Sequence, residues 1–334
     1  MVNITHVDVL GLAASIPYAN ELTALANAST DHVSFISYSD EFLTGVLGNN
    51  VTQQLVADMS YDAFHEAGVY NIETGLLYAT SNWAGSFDNP INVTAIDINR
   101  NNEITSIRYP KLSLANGGSA FYPVGSSANS SEGQQIVYCD EGDLTEPSRL
   151  TLVNPATNET SVLIDNFYGR NFSSLNDVEQ HYHTGDLWFT DARYGYWQYF
   201  RPEPVIRPQV YRFEPKTGVV QAVADDFVAP NGLEFRYCQA CRACRSIVIN
   251  QLTPFRSPDF KHVYVSDTGF QTFPGKNNAT EPTSIYRFDV TPDGKRLQNR
   301  QLFAYATRGL PDGIHTDTEG NVYSACGGGD GINV

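Results

Sequence analysis

The sequence is poor in basic residues. Its 334 residues include 21 Lys and Arg against 37 Asp and Glu, so the formal net charge at pH 7 is −16. A protein that holds nucleic acid needs a stripe of positive charge for the phosphates, and an anionic membrane surface attracts the same groups. The composition therefore argues against both kinds of partner.

The chain also lacks a long hydrophobic run. The longest candidate, residues 9–19, is interrupted by Gly11, Ser15 and Pro17, whereas a membrane helix needs about 18 or more apolar residues. Residues 1–15 contain no Lys or Arg and therefore lack the basic segment of a secretory signal. We expect no membrane span, and the N-terminus is not a convincing signal peptide.

Cysteine is scarce and unevenly placed. Three of the five cysteines lie within residues 236–256, and the other two are Cys139 and Cys326. This odd number does not suit a disulfide scaffold. The segment 236–256 is basic in an acidic chain, and its removal makes the repeat described below more regular. We interpret it as an atypical insert, either a retained intervening sequence or a long loop.

Asn-x-Ser/Thr sequons are abundant. Eight of them spread along a chain favour a secreted glycoprotein over a cytosolic protein. Their asparagines are Asn3, Asn27, Asn50, Asn92, Asn129, Asn158, Asn171 and Asn278.

Strand signals dominate the rest of the chain. Short runs rich in Val, Ile, Tyr, Phe and Thr recur between turns rich in Gly, Asn, Asp and Pro, which is typical of β-structure. One strand pattern returns five times, at intervals of about 50 to 60 residues once the insert is left out, and this period is typical of propeller blades. Its equivalent positions are Tyr78, Val137, Trp188, Tyr264 and Tyr323.

Polar residues recur at the start of these repeats. The first strand of each propeller blade lines the central channel, so Glu66, Asn176, Asn231 and Asp312 are expected to converge on the axis. Two carboxylates and two amide oxygens suit a hard cation, calcium before zinc. Asp267 recurs at the end of a second strand, as does an Asp in an earlier repeat, and we interpret it first as a strand-end cap.

Several motifs in this order resemble the gluconolactonase, senescence marker protein and luciferin-regenerating enzyme family. The motifs are residues 185–191, 230–233, 263–269 and 311–322. Residues 64–66 and 169–177, together with the acidic character, are most similar to fungal-type lactonohydrolases. The resemblance runs from about residue 40 to the C-terminus, apart from the insert.

This resemblance implies an all-β fold, a six-bladed propeller with one calcium ion at its axis. Another divalent cation is the alternative. Residues 40–334 would form the propeller, with its last blade truncated at the C-terminus, and residues 1–39 an N-terminal extension with a degenerate signal region. By position, Glu66, Asn231 and Asp312 match the family's calcium ligands, and Asn176 matches an Asn that holds either the metal or the substrate.

The resemblance also implies a reaction, the hydrolysis of a sugar-acid lactone or a related five-membered lactone by a carboxylic-ester hydrolase. Calcium would polarise the carbonyl, and Asp312 would activate water as the base. His65 and Asp267 are candidate neighbours of the site, although in a regular strand His65 would face away from Glu66. The alternatives are a non-catalytic propeller that binds a ligand, or a truncated and inactive member of the family.

Overall fold

The computed structural model describes residues 3–27, 34–88, 90–123, 133–237, 258–273, 276–306, 309–328 and 331–334. It forms two compact units, one of residues 1–58 with Val334 and one of residues 59–333. The predicted boundary after residue 39 falls inside the first unit. The predicted insert lies almost wholly outside the described residues, since only Arg236 and Tyr237 of it are described.

The first unit contains two short strands and two helices. The strands are parallel and pair Asn3 with Ser34, and the Asp8 side chain caps the first helix by accepting from the Gly11 amide at 3.0 Å. The elements are β1 (Asn3–His6), α1 (Val9–Ala14), α2 (Ile16–Asn27), β2 (Ser34–Ser37) and a π-helical turn (Phe42–Leu47). None of the described helices has the length and apolar character needed to cross a membrane.

The second unit is built from five antiparallel sheets, here called blades 1 to 5 in chain order. Blade 1 contains β3 (Glu66–Asn71), β4 (Leu76–Thr80), β5 (Val93–Asp97) and β6 (Glu103–Ile107). Blade 2 contains β7 (Ala115–Phe121), β8 (Gln135–Asp140), β9 (Arg149–Asn154) and β10 (Glu159–Ile164), and is followed by a ribbon of β11 (Asn166–Phe167) and β12 (Arg170–Asn171).

The later blades repeat this order. Blade 3 contains β13 (Leu175–His181), β14 (Asp186–Asp191), β15 (Gln209–Glu214) and β16 (Val219–Ala224), with the helical turn α3 (Tyr194–Trp197) between β14 and β15. Blade 4 contains β17 (Pro230–Tyr237), β18 (Pro258–Asp267), β21 (Ser284–Val290) and β22 (Leu297–Tyr305), with a small ribbon of β19 (Gln271–Phe273) and β20 (Lys276–Asn277). Blade 5 contains β23 (Leu310–Thr316), β24 (Val322–Gly327) and β25 (Gly331–Asn333).

The propeller therefore has five blades in its described residues, and the prediction of six is wrong. The number six came from the family resemblance, whereas the sequence itself contains five copies of the strand pattern, and each copy forms one sheet. Residues 40–58, which the sequence assigned to the propeller, contain the π-helical turn and no strand. Blades 1 to 4 have four strands each and blade 5 has three.

The residues that mark the repeat lie on the second strand of each blade. Four of them, Tyr78, Val137, Trp188 and Tyr264, are at most 3 % exposed. They are buried because each blade covers its apolar faces with the neighbouring blades. One hydrophobic cluster joins Tyr78 of blade 1 to residues of blade 2, and similar clusters join the later blades in order.

The first strands of successive blades pack side by side. Strand β3 packs against β7, β7 against β13, β13 against β17, and β17 against β23. Blade 5 also approaches blade 1, because a Cβ atom on Gly313 would stand only 3.3 Å from the Glu66 Oε2 atom. The inner strands thus bring residues that are far apart in sequence to one place.

Candidate functional site

Each first strand loses its regular pairing near its start. The register between the first and second strand of every blade shifts there and leaves two residues of the first strand unpaired. Such breaks in the strand pairing change the direction in which the side chains point. In blades 2 to 5 the first unpaired residue is Asn116, Asn176, Asn231 and Asp312, respectively. Glu66 comes one residue earlier in its repeat, where Ala67 occupies the equivalent position with a φ of 54°.

Three candidate ligands meet where blades 1 and 5 approach each other. One ligand atom each from His65, Glu66 and Asp312 lies within 4.8 Å of the others. In a regular strand His65 would face away from Glu66, but that condition does not hold because β3 begins only at Glu66. His65 precedes the strand, and its amide donates to the Thr80 carbonyl at 2.8 Å.

The two carboxyl groups of this cluster repel each other when both are ionised. Burial, followed by the nearby Asp312 and Asp177 carboxylates, raises the pKa of Glu66 well above its usual value. Burial lowers the pKa of His65, although the carboxylates of Asp312 and Asp62 partly oppose this effect. Neither of these pKa shifts adds positive charge to the cluster. A cation held between Glu66 and Asp312 would therefore relieve the repulsion between their carboxylates.

Two amide oxygens are left without partners at the same site. The Asn176 and Asn231 Oδ1 atoms are buried and accept no hydrogen bond. Their nitrogens are occupied, since Asn231 Nδ2 donates to the Tyr194 hydroxyl at 3.1 Å and Asn176 Nδ2 donates to Asn116 Oδ1 at 3.4 Å. A buried acceptor without a partner is costly, and carbonyl oxygens of this kind are ligands that calcium uses.

Four of these residues line an open pocket of about 350 Å³, whereas Glu66 is not among the described residues that line it. His65, Asn176, Asn231 and Asp312 all reach it, so the structure brings together four of the residues that the sequence singled out. Two buried amide oxygens of this site accept no hydrogen bond. For that reason the set of carboxylate and amide oxygens fits a calcium ion. The assignment of individual ligands stays a prediction.

Asp267 has a different place. Its carboxylate accepts from the backbone amides of Val228 at 3.1 Å and Ala229 at 2.9 Å, which lie just before β17. Asp191 binds the amides of Ser173 and Ser174 before β13 in the same way. The interpretation of these residues as strand-end caps is confirmed. Asp267 is not among the described residues that line the pocket.

Seven polar residues that line the pocket were not singled out from the sequence, namely Asn82, Asn116, Glu141, Tyr194, Gln198, Thr268 and Gln271. Glu141 accepts from the Ser174 hydroxyl at 2.6 Å and from Asn116 Nδ2 at 3.2 Å, and burial raises its pKa to about 7. Asn116 could have been found, because it precedes a glycine at the start of a repeat, as Asn231 does. Glu141 and Tyr194 follow second strands and have no such signal.

Another histidine near Asp312 in sequence lies outside the pocket. His315 is three residues after Asp312, and its Nδ1 atom lies 3.0 Å from the Glu234 Oε2 atom of blade 4. This hydrogen bond raises the pKa of His315. His315 thus links blades 4 and 5 and does not reach the described lining of the pocket.

Sequence comparison agrees with this geometry. Residues 256–334 match the model of the SMP-30/Gluconolactonase/LRE-like region. The predicted family resemblance is confirmed. Lactonohydrolase oryL of Aspergillus oryzae is 29 % identical over 96 % of this chain and 70 % of its own length. A gluconolactonase of Zymomonas mobilis is 27 % identical, but the match covers 53 % of this chain and 43 % of that protein.

Solved structures show the same fold. A gluconolactonase from Xanthomonas campestris superposes with a TM-score of 0.55 at 22 % identity, covering 80 % of this chain and 71 % of that one. A luciferin-regenerating enzyme superposes with a TM-score of 0.51 at 14 % identity, covering 80 % of this chain and 70 % of that one. At these identities the likeness concerns the fold alone.

Proposed function

We propose that this protein is a calcium-dependent hydrolase that opens a five-membered lactone. The observation that carries the proposal is the pair of orphaned amide oxygens of Asn176 and Asn231 in the pocket that Asp312 also lines. The relatives named lactonohydrolase and gluconolactonase support the reaction class. Sugar-acid lactones and related five-membered lactones share the ring ester on which such a site would act.

Glu66, Asn176, Asn231 and Asp312 would hold the ion. A bound calcium ion would polarise the lactone carbonyl and stabilise the negative charge that develops on its oxygen. Asp312 is our candidate base, and His65 beside it is the alternative. The base takes a proton from a water molecule whose oxygen adds to the carbonyl carbon. The ring C–O bond then breaks and the base returns the proton to the leaving ring oxygen, so the products are a carboxylic acid and a hydroxyl group on one open chain.

The proposal is tested by acid release from a panel of lactones with calcium, with excess chelator, and after calcium is restored. We expect the chelator to abolish hydrolysis and calcium to restore it. Replacement of Glu66 by Gln should lower kcat/KM about a hundredfold or more and weaken calcium binding measured by calorimetry. Glu73→Gln is the matched control, because Glu73 is exposed in a turn of the same blade.

Two results would count against the proposal. Hydrolysis that survives the chelator would refute the calcium dependence while leaving the reaction class in place. A folded protein that hydrolyses none of the lactones would refute the enzyme assignment and favour a propeller that only binds a ligand.

We also propose that the protein is secreted and carries N-linked glycans. Four of the sequon asparagines, Asn3, Asn50, Asn158 and Asn171, are exposed, and glycan attachment needs an accessible side chain. The proposal rests on the sequons and not on disulfide bonds.

A further inference from the structure

Large apolar side chains line part of the pocket. Trp83 and Ile91 come from the segment between β4 and β5, Trp197 comes from α3, and Leu310 begins β23. Ile91 and Trp197 are buried, whereas Trp83 and Leu310 are half-buried. The pocket thus combines an apolar wall with the candidate metal ligands.

The apolar wall is held in place from behind. The Trp83 ring packs against Phe87 and Phe200, with centroid distances of 5.1 and 5.2 Å. Because Phe200 follows α3 in blade 3, this contact ties the loops of blades 1 and 3 together. The Trp197 ring packs edge to face against Tyr194, with centroids 5.6 Å apart. A wall that is already packed gives up little conformational entropy when a ligand binds.

A buried arginine fixes the loop that carries Trp197. The Arg201 guanidinium donates to the Phe172 and Ser173 carbonyls at 3.1 and 3.0 Å. A Cβ atom added to Gly195 would lie only 2.2 Å from the Arg201 Cγ atom. The α3 loop is therefore tightly packed on the start of blade 3.

Part of the polar lining of the pocket is already hydrogen-bonded within the protein. The amide nitrogens of Asn116, Asn176 and Asn231 all donate to other pocket residues. The Tyr194 hydroxyl accepts from Asn231 and is also hydrogen-bonded to Thr268. A hydroxyl group placed against the Trp83 and Trp197 rings would lose its water without gaining a partner from those rings, which costs free energy.

We propose that the substrate is a lactone with an apolar substituent, aryl or branched alkyl, that packs on Trp83 and Trp197. This inference rests on the proposed hydrolase function and selects a substrate class for the same pocket. The alternative is the hydroxyl-rich lactone of a sugar acid. A pocket of about 350 Å³ lies at the small end of ligand sites and has room for a five-membered ring with one such group.

The test compares three lactones that share a five-membered ring, namely γ-phenyl-γ-butyrolactone, unsubstituted γ-butyrolactone and D-galactono-1,4-lactone. We expect kcat/KM for the phenyl compound to exceed that for each of the others by about tenfold or more. In the Trp197→Ala variant this preference should fall about tenfold. Tyr196→Ala is the control, since Tyr196 is 40 % exposed on the same helical turn and should keep the preference.

A measurement on the unaltered protein covers the case in which the Trp197 variant does not fold. The ketone 3-phenylcyclopentanone has no ring ester to cleave, and it should inhibit hydrolysis of γ-butyrolactone at least tenfold more strongly than cyclopentanone does. Equal inhibition, or preference for the hydroxylated lactone, would overturn this inference and leave the hydrolase function standing. If none of the three lactones is hydrolysed, the proposed function falls and this inference with it.

Discussion

Single glycines let the inner strands approach closely enough to form the site. Gly232 follows Asn231 on β17, and a Cβ atom there would stand 2.5 Å from the Asp312 carbonyl oxygen and 2.7 Å from the Ile314 nitrogen. Both obstacles are backbone atoms, which cannot rotate away. The position of Asp312 in the pocket therefore depends on the absence of a side chain in the neighbouring blade.

We expect the replacement of Gly232 by Ala to lower the free energy of unfolding by about 1 to 3 kcal/mol, as overpacking does. It should also lower kcat/KM because Asp312 is displaced. Urea unfolding and steady-state kinetics measure the two effects. Gly68→Ala is the control, because a Cβ atom on this inner-strand glycine meets nothing within 4 Å. Equal behaviour of the two variants would show that the close approach does not position Asp312.

At the level of the strand, a carboxylate at the end of β18 connects to the start of β17 within the same blade. Asp267 accepts from two backbone amides there, and Asp191 joins β14 to the residues before β13 in the same way. Each carboxylate holds a chain segment that leads directly to a pocket residue, Asn231 or Asn176. The same pair of carboxylate-to-amide hydrogen bonds thus recurs in blades 3 and 4.

We expect Asp267→Ala to lower the free energy of unfolding by about 1 to 3 kcal/mol, because two buried amides lose their acceptor. Thermal or urea unfolding measures the loss. Asp225→Ala in the connection before β17 is the control, since Asp225 is exposed. A variant as stable as the control would mean that Asp267 is not a structural cap and would return it to the candidate site residues.

At the level of the whole second unit, the proposed ligands come from four of the five blades. Glu66 belongs to blade 1, Asn176 to blade 3, Asn231 to blade 4 and Asp312 to blade 5. Only the folded arrangement brings them together. An ion that binds the folded state alone stabilises it by mass action, by about 2.7 kcal/mol at a hundred times its Kd.

We therefore expect saturating calcium to raise Tm by about 5 °C relative to chelator, measured by differential scanning calorimetry. The shift should disappear in the Glu66→Gln variant and persist in Glu73→Gln. A Tm that does not respond to calcium in the unaltered protein would contradict the proposed metal site independently of any activity assay.

Much of this molecule is visible in its sequence. Each of the five copies of the strand pattern forms one sheet, because neighbouring blades cover the apolar residues of its strands. The polar residues at the starts of the repeats predict a shared place at the axis. The error lay in adding a sixth blade from the family resemblance, since residues 40–58 do not have the pattern and do not form strands.

The tertiary structure decided what depends on contacts between blades. His65 was a candidate neighbour of the site that a regular strand would have turned away from Glu66, but strand β3 starts only at Glu66. Glu141 and Tyr194 lie in loops that follow second strands, and no repeated sequence pattern indicates that these positions line the pocket. The direction of each amide group, and hence the two unpaired oxygens, is set by neighbours about 40 to 60 residues away. Local periodicity determines the strands and their buried faces, whereas irregular pairing and packing between distant segments determine which polar atoms meet.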